Sequence, residues 1–124
     1  RDYENLLSIV EAEAGGEDLE GRIMVADVIL NRVASDQFPD NVTSVIWDRT
    51  GGSPQFSPTE DGRIYTVTVS DDTREAVNRA IDGEDLSQGA LYFIARDQAD
   101  EKNVKWFDEK LTFLFEHGGH SFYA

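Results

Sequence analysis

Apolar residues recur at intervals of three and four through the first two thirds of the chain, and then the interval shortens. Tyr3, Leu6, Leu7, Val10 and Ala14 fall on one face at 3.6 residues per turn, which predicts a helix capped by Asp2 and stopped at Gly15-Gly16. A second helix is predicted from Asp18, with Leu19, Ile23, Ala26, Leu30 and Val33 on a stripe that Val25, Val28 and Ile29 widen. A stripe that broad marks a helix buried on more than one side. Phe38-Pro39 interrupts it, and Asn41 is placed to cap a short third helix through Trp47, with Val42, Val45 and Ile46 as its apolar face. Between Asp48 and Gly62 the pattern dissolves into Gly, Ser, Pro, Asp and Thr, predicting a long loop with Phe56 in its middle. Thr66 to Val69 reads as briefly extended. Ser70 or Asp71 then caps a helix that turns Ala76, Val77, Ala80 and Ile81 inward and stops at Gly83.

Beyond that point Ala90 to Ala95, Val104 to Phe107, Thr112 to Glu116 and Ser121 to Tyr123 are short, aromatic-rich runs with turn residues between them. This is the pattern of a small antiparallel sheet. Helices first and strands last give an α+β arrangement. No repeat or linker divides residues 1–124, so one domain is expected.

Composition narrows what such a domain can bind. With 25 acidic residues against 11 basic ones the formal charge is −14, which argues against nucleic acid and against anionic lipid surfaces as partners. No apolar run approaches the ~20 residues of a membrane span, so no membrane insertion is expected. The absence of cysteine removes disulfides and thiol catalysis.

One carboxylate stands out by position. Glu13 falls on the Leu6 edge of the first helix's apolar face, with Glu11 on the opposite edge. Partial desolvation there and the negative end of the helix both favour the protonated form, as a general acid requires. On periodicity alone the ordinary reading, a solvated glutamate in a last helical turn, outweighs this one. His117 and His120 flank a Gly-Gly turn without a recognisable third ligand, so no metal site is expected, nor any other cofactor. Turn solvation for His117 and a structural hydrogen bond for His120 are the expected roles. Asp82-Gly83-Glu84-Asp85 lacks the spacing of a calcium loop.

Several strings carry more specific information. Ala12-Glu13-Ala14-Gly15-Gly16-Glu17, then Glu20-Gly21 and Val25-Ala26-Asp27-Val28-Ile29-Leu30-Asn31-Arg32-Val33, are followed by Phe38-Pro39-Asp40-Asn41-Val42 and Val45-Ile46. Gln55-Phe56-Ser57, Asp61-Gly62, Gly89-Ala90-Leu91-Tyr92-Phe93 and Gly119-His120-Ser121-Phe122-Tyr123 complete the series. In this order and spacing they resemble the SleB-type cell-wall hydrolases, the catalytic domains of spore cortex-lytic enzymes, over nearly the whole chain.

The resemblance implies a lysozyme-like, lytic-transglycosylase-like fold: a helical core with a small antiparallel sheet bounding a cleft. It implies Glu13 as the catalytic residue, peptidoglycan glycan strands as substrate, and scission between N-acetylmuramic acid and N-acetylglucosamine with a 1,6-anhydro end. An extracytoplasmic setting, cell wall or spore cortex, follows, and the resemblance leaves room for a separate wall-binding domain elsewhere in the gene. Ordinary hydrolysis calls for a second carboxylate at ~5–9 Å. Glu11, Glu17, Glu60 and Asp61 are available, and Asp61, which matches the family's loop, is the best placed. Phe56 and Tyr92 are candidates for stacking on sugar faces, because sugars present apolar C–H surfaces. Tyr92 lies in a strand whose neighbours Leu91 and Phe93 point to the other face. Gln55 and Ser57 are candidates for orienting acetamido groups or the catalytic carboxyl. Trp47 and Trp106 are expected to be structural. Two departures bear on the cleft: Gly15 stands where many members carry Arg, and Gly51-Gly52 with Pro54 resembles a small insertion. Hydrolytic muramidase and inactive peptidoglycan-binding module stay open as alternatives.

Overall fold

The structure is a computed structural model that describes residues 1–49 and 55–124. Gly51, Gly52 and Pro54, the apparent insertion, lie outside the described residues.

Helix α1 spans Asp2–Ala14 and buries Leu6, Leu7, Ile9, Val10 and Ala14. Its cap position is Arg1, not Asp2 as expected. Asp2 is the first helical residue, and its carboxylate accepts from the Thr43 N–H (3.2 Å) and the Thr43 hydroxyl, so the side chain ties α1 to its neighbour instead of closing its own helix. Helix α2, Leu19–Val33, is capped by Asp18, which accepts from Gly21 N–H at 2.8 Å. Every residue from Gly21 to Ile29 is buried, which matches the breadth of its apolar stripe. Asn41 caps α3 (Val42–Ile46) through Ser44 N–H at 2.9 Å, and Ser70 caps α6 (Asp71–Ile81) through Thr73 N–H at 3.2 Å. Each such cap contributes about 1 kcal/mol. Helices α1, α3 and α6 pack around α2.

The loop expected over 48–62 is in part helical. Ser57–Asp61 forms α4 with Pro58 in its first turn, where a missing N–H costs nothing, and Arg63–Thr66 forms α5 beyond a left-handed Gly62 (φ 85°). Helices of five and four residues are too short to show a period. The chain from Val67 to Ser70 is extended without strand pairing, in place of the brief strand expected at Thr66 to Val69. Ile81, expected inward, is 49% exposed, while Val77 and Ala80 are the buried residues of that part of α6.

Three strands follow: β1 (Tyr92–Ile94), β2 (Phe113–His117) and β3 (His120–Tyr123), antiparallel in the order β1-β3-β2. The fourth expected strand, Val104 to Phe107, lies instead in helix α7, Glu101–Lys110, capped by Asp100 through Asn103 N–H at 2.8 Å. Three apolar residues interrupted by Lys105 and flanked by acidic and basic residues are better served by 3.6-residue periodicity, which puts Val104 and Phe107 on one side. Phe93 pairs with Phe122, and Phe122 with Phe115, forming an aromatic row that faces the helices. Tyr92 and Tyr123 face the other way, each edge-on to Phe107 of α7 at 6.1 and 5.2 Å. The sheet is thus covered by the helical core on one face and by α7 on the other.

Candidate active site

Glu13 is the last residue but one of α1, where the helix leaves carbonyls without partners along its own axis. Donors from elsewhere take them up. Glu17 N–H reaches Ala14 O at 2.9 Å, and Arg22 Nη2 reaches Gly15 O at 2.6 Å. The Glu13 carboxyl itself is desolvated, and its pKa is pushed up to about 7 chiefly by burial, with Arg63 opposing and Asp61 adding to the rise. Burial is therefore its main cause.

The charged neighbours come from the α4–α5 corner. Asp61 accepts from Arg63 N–H and Arg63 Nε, both at 2.9 Å, while Arg63 Nη2 donates to Ser57 Oγ at 2.9 Å. These bonds hold the Asp61 carboxyl below its ordinary range, so it is ionised at neutral pH. The other carboxylates considered as seconds are engaged differently. Burial raises Glu11, but bonds from Ser70 N–H (2.9 Å), Ser70 Oγ (3.1 Å) and Thr73 Oγ1 (2.7 Å) outweigh it and keep it low. Glu17 accepts from Gly119 N–H at 2.9 Å, and Glu60 is exposed.

The remaining predicted residues separate. Ser57 is brought into the Arg63 cluster, and Gln55 presents an exposed side chain while its N–H bonds to Asp48 O at 3.1 Å. Phe56 is 2% exposed, with the Arg32 guanidinium 5.0 Å from its ring and Phe93 at 6.0 Å, so no face is left for a sugar. It is a core residue, contrary to the stacking role expected of it. Tyr92 is half-buried among Phe38, Trp106, Phe107 and the Arg32 guanidinium, on the opposite side of β1 from Phe93. Trp106 is 46% exposed rather than buried.

One charged neighbour of Glu13, Arg63, was not anticipated; it stands just past a turn signal and gave none of its own. Gly15 also finds a reason. A Cβ there would come within 2.3 Å of Glu11 Oε2 and 2.6 Å of Glu11 O, so a side chain at this position requires Glu11 to move.

Asp18, Glu20 and His117 bring one ligand atom each within 4.8 Å of one another. The Asp18 oxygen, however, already accepts from Gly21 N–H and pairs with His117 Nε2 at 2.8 Å, at the positive end of α2, where a cation is disfavoured. His117 is thus half-buried and paired rather than solvated. An open groove of about 730 Å³ runs along α7, lined by Arg96, Asp97, Val104, Lys105 and Asp108, away from the Glu13 cluster. Among the described residues no helix is long and apolar enough to cross a membrane.

A helical core with a small antiparallel sheet, and a Glu13 carboxyl whose pKa is raised to about 7 at the end of α1, make up an α+β fold with a candidate acid. The chain belongs to the Cell Wall Hydrolase family, whose sequence profile matches residues 16–123 and so begins just after Glu13. It is similar to the spore cortex-lytic enzymes of Halalkalibacterium halodurans (41% identical over 98 residues, 79% of this chain) and Bacillus cereus (38% over 116 residues, 94% of this chain). It spans only 28% and 42% of those two relatives. The catalytic domain of the germination-specific lytic transglycosylase SleB from Bacillus anthracis superposes with a TM-score of 0.82 at 33% identity, covering 99% of this chain and 93% of that one. The SleB catalytic domain from Bacillus cereus gives 0.80, also at 33% identity, over 99% and 89%.

Proposed function

We propose that this domain is a peptidoglycan lytic transglycosylase that cleaves the bond between N-acetylmuramic acid and N-acetylglucosamine with Glu13 as its single catalytic residue. The observation that carries the reading is the Glu13 carboxyl, raised to about 7 beside an Asp61 that is already committed to Arg63. A carboxyl of that pKa exists in both forms near neutrality and can give a proton and take one back within a turnover. In the first step Glu13 protonates the glycosidic oxygen as the C1–O bond breaks. The resulting carboxylate then accepts the proton of the muramic C6 hydroxyl, whose oxygen bonds to C1 and closes the anhydro ring, leaving Glu13 protonated again. No water is consumed. Burial favours the acid, Arg63 opposes it and Asp61 adds to it, and the balance leaves Glu13 between its two forms near neutrality.

Gln55, Ser57, Asp61 and Tyr92 are the residues we assign to the glycan; of these, Ser57 and Asp61 are tied to Arg63, whose charge acts on Glu13. The setting is extracytoplasmic, at wall or cortex, as the relatives' names imply, and the short coverage of those relatives leaves room for a wall-binding domain. Hydrolysis is the second reading, since ionised Asp61 is a carboxylate within electrostatic reach of Glu13.

The test is to incubate the protein and its Glu13→Gln variant with cortex and vegetative peptidoglycan and weigh the products. Anhydro ends from the unmodified protein alone support the proposal. Reducing ends one water heavier establish the muramidase instead, and binding without cleavage of either wall rejects both.

A further inference from the structure

The last turn of α1 is fastened on the side away from Glu13. At about 100° per residue Glu11 and Gly15 fall within about 40° of each other around the helix, and Glu13 falls about 200° from both. Gly15 keeps helical dihedrals (φ −62°, ψ −20°) and its N–H donates to Glu11 O at 2.9 Å, so the two belong to one turn. Each is tied to the start of α6. Glu11 Oε1 accepts from Ser70 N–H, Ser70 Oγ and Thr73 Oγ1. Gly15 O accepts from Arg22 Nη2 at 2.6 Å, while Arg22 Nη1 lies 3.7 Å from Asp72 Oδ2. Arg22 projects from α2 with 9% of its surface exposed, and its Nε is buried with no hydrogen-bond partner among the described residues. A guanidinium on a solvated face keeps water on all its donors, and burying one unpaired is unfavourable. This one is buried nonetheless, and it donates to the carbonyl two residues past Glu13.

We propose that Arg22 is a positioning residue for Glu13: its bond to Gly15 O, together with the hold of Glu11 on the start of α6, fixes from behind the turn of α1 that presents the catalytic side chain. The inference rests on Glu13 being the catalytic acid. The last carbonyls of a helix have no partner within it, and such ends fray unless something outside takes them up. Glu13 is the last residue but one of α1, so fraying there would carry its carboxyl away from the bond it protonates. Arg22 supplies the outside partner from α2, whose residues from Gly21 to Ile29 are all buried, so the anchor stands on a rigid element. The charges that act on Glu13 are those of Arg63 and Asp61, whereas that of Arg22 acts on Glu11. Loss of Arg22 therefore changes where the Glu13 carboxyl sits and leaves the pH at which it titrates in place.

The experiment compares Arg22→Lys, which keeps a charged donor, with Arg22→Met and Arg22→Leu, which keep an apolar stem without one, beside Glu13→Gln as reference. Each is assayed on purified peptidoglycan across pH, with melting curves to show folding. The donorless variants are expected to lose kcat by about 10- to 100-fold with KM nearly unchanged, the scale of a small misplacement of a reacting group. Arg22→Lys recovers most of that loss, and all active variants keep the alkaline limb near pH 7 that Glu13 sets. Amide hydrogen exchange in the unmodified protein, which needs no variant to fold, is expected to show the Gly15 N–H protected as part of a closed turn. Full activity in a folded donorless variant, equal loss in Arg22→Lys, a raised KM in place of a lowered kcat, or a displaced limb would each overturn the proposal. So would a Gly15 amide that exchanges as fast as an open chain. If Glu13→Gln itself retains full activity, the catalytic assignment fails and the proposal falls with it, an outcome distinct from the others.

Discussion

Replacing Glu13 with glutamine is expected to stabilise the protein at neutral pH while abolishing its activity. The folded carboxyl has a pKa of about 7 against an ordinary 4.5. Below pH 4.5 it is protonated in folded and unfolded chains alike, so its burial carries no ionisation penalty. Between pH 4.5 and 7 the unfolded chain releases the proton while the folded chain keeps it, so stability falls as pH rises. Above pH 7 both are ionised and the loss levels off. A separation of about 2.5 pH units at ~1.36 kcal/mol each sets that loss at about 3 kcal/mol, an upper figure for a partly exposed side chain. Glutamine has the size of the acid but no charge, so Glu13→Gln removes the penalty without opening a cavity. Urea unfolding of both proteins, repeated at intervals from about pH 4 to about pH 8.5, yields the difference directly. It is expected to rise from near zero at the acid end to about 2–3 kcal/mol above pH 7. Parallel stability curves, or a variant less stable above pH 7, would refute the reasoning.

Other perturbations test separate parts of the fold. Asp27, 2% exposed, has its pKa pushed up to about 7 mainly by burial, while its bond from Leu86 N–H (2.9 Å) opposes the rise. Asp27→Asn keeps an acceptor for Leu86, and the same unfolding series is expected to show a gain that grows from pH 3.8 to 7 and then holds. Gly118→Ala combines a φ of 57° with the Glu17 contact, and its thermal midpoint is expected to drop by the equivalent of about 1–2 kcal/mol. Phe56→Ala is expected to cost about 3–5 kcal/mol of stability by urea unfolding, since the ring is core. A stable Phe56→Ala protein with raised KM would instead return that ring to the binding surface.

What could be read from the sequence was local. Asp18, Asn41 and Ser70 cap their helices because a short polar side chain satisfies an end N–H in any context, and the width of the α2 stripe reported its burial correctly. Asp2 failed as a cap because a partner from another helix, Thr43, offers its carboxylate a better bond set. Elements α4 and α5 were invisible for want of length. The α7 run was misread because its aromatic residues are strand formers by propensity while the acidic and basic residues around them, with the Asp100 cap, favour a helix. Phe56 was ambiguous for a related reason: a polar loop flanks it, but the Arg32 guanidinium and the Phe93 ring that enclose it come from α2 and β1.

Glu13 lies between these cases. Its place at the edge of an apolar face was legible, since helix geometry alone fixes it, yet an edge position does not desolvate a carboxyl. That requires the α4–α5 corner to close over one side and the β2–β3 hairpin to hold the helix end on the other. Both arrive from more than forty residues away in sequence. Each approach is held by a glycine in the left-handed region, Gly62 at the corner and Gly118 at the hairpin, where a side chain would strain the turn. Neither glycine touches a substrate in the mechanism proposed; each shapes the turn of a segment that comes to the end of α1. The pKa of Glu13, and with it the pH at which one carboxyl can serve as acid and then as base, is therefore a property of how three separate segments meet, and only its location is a property of α1.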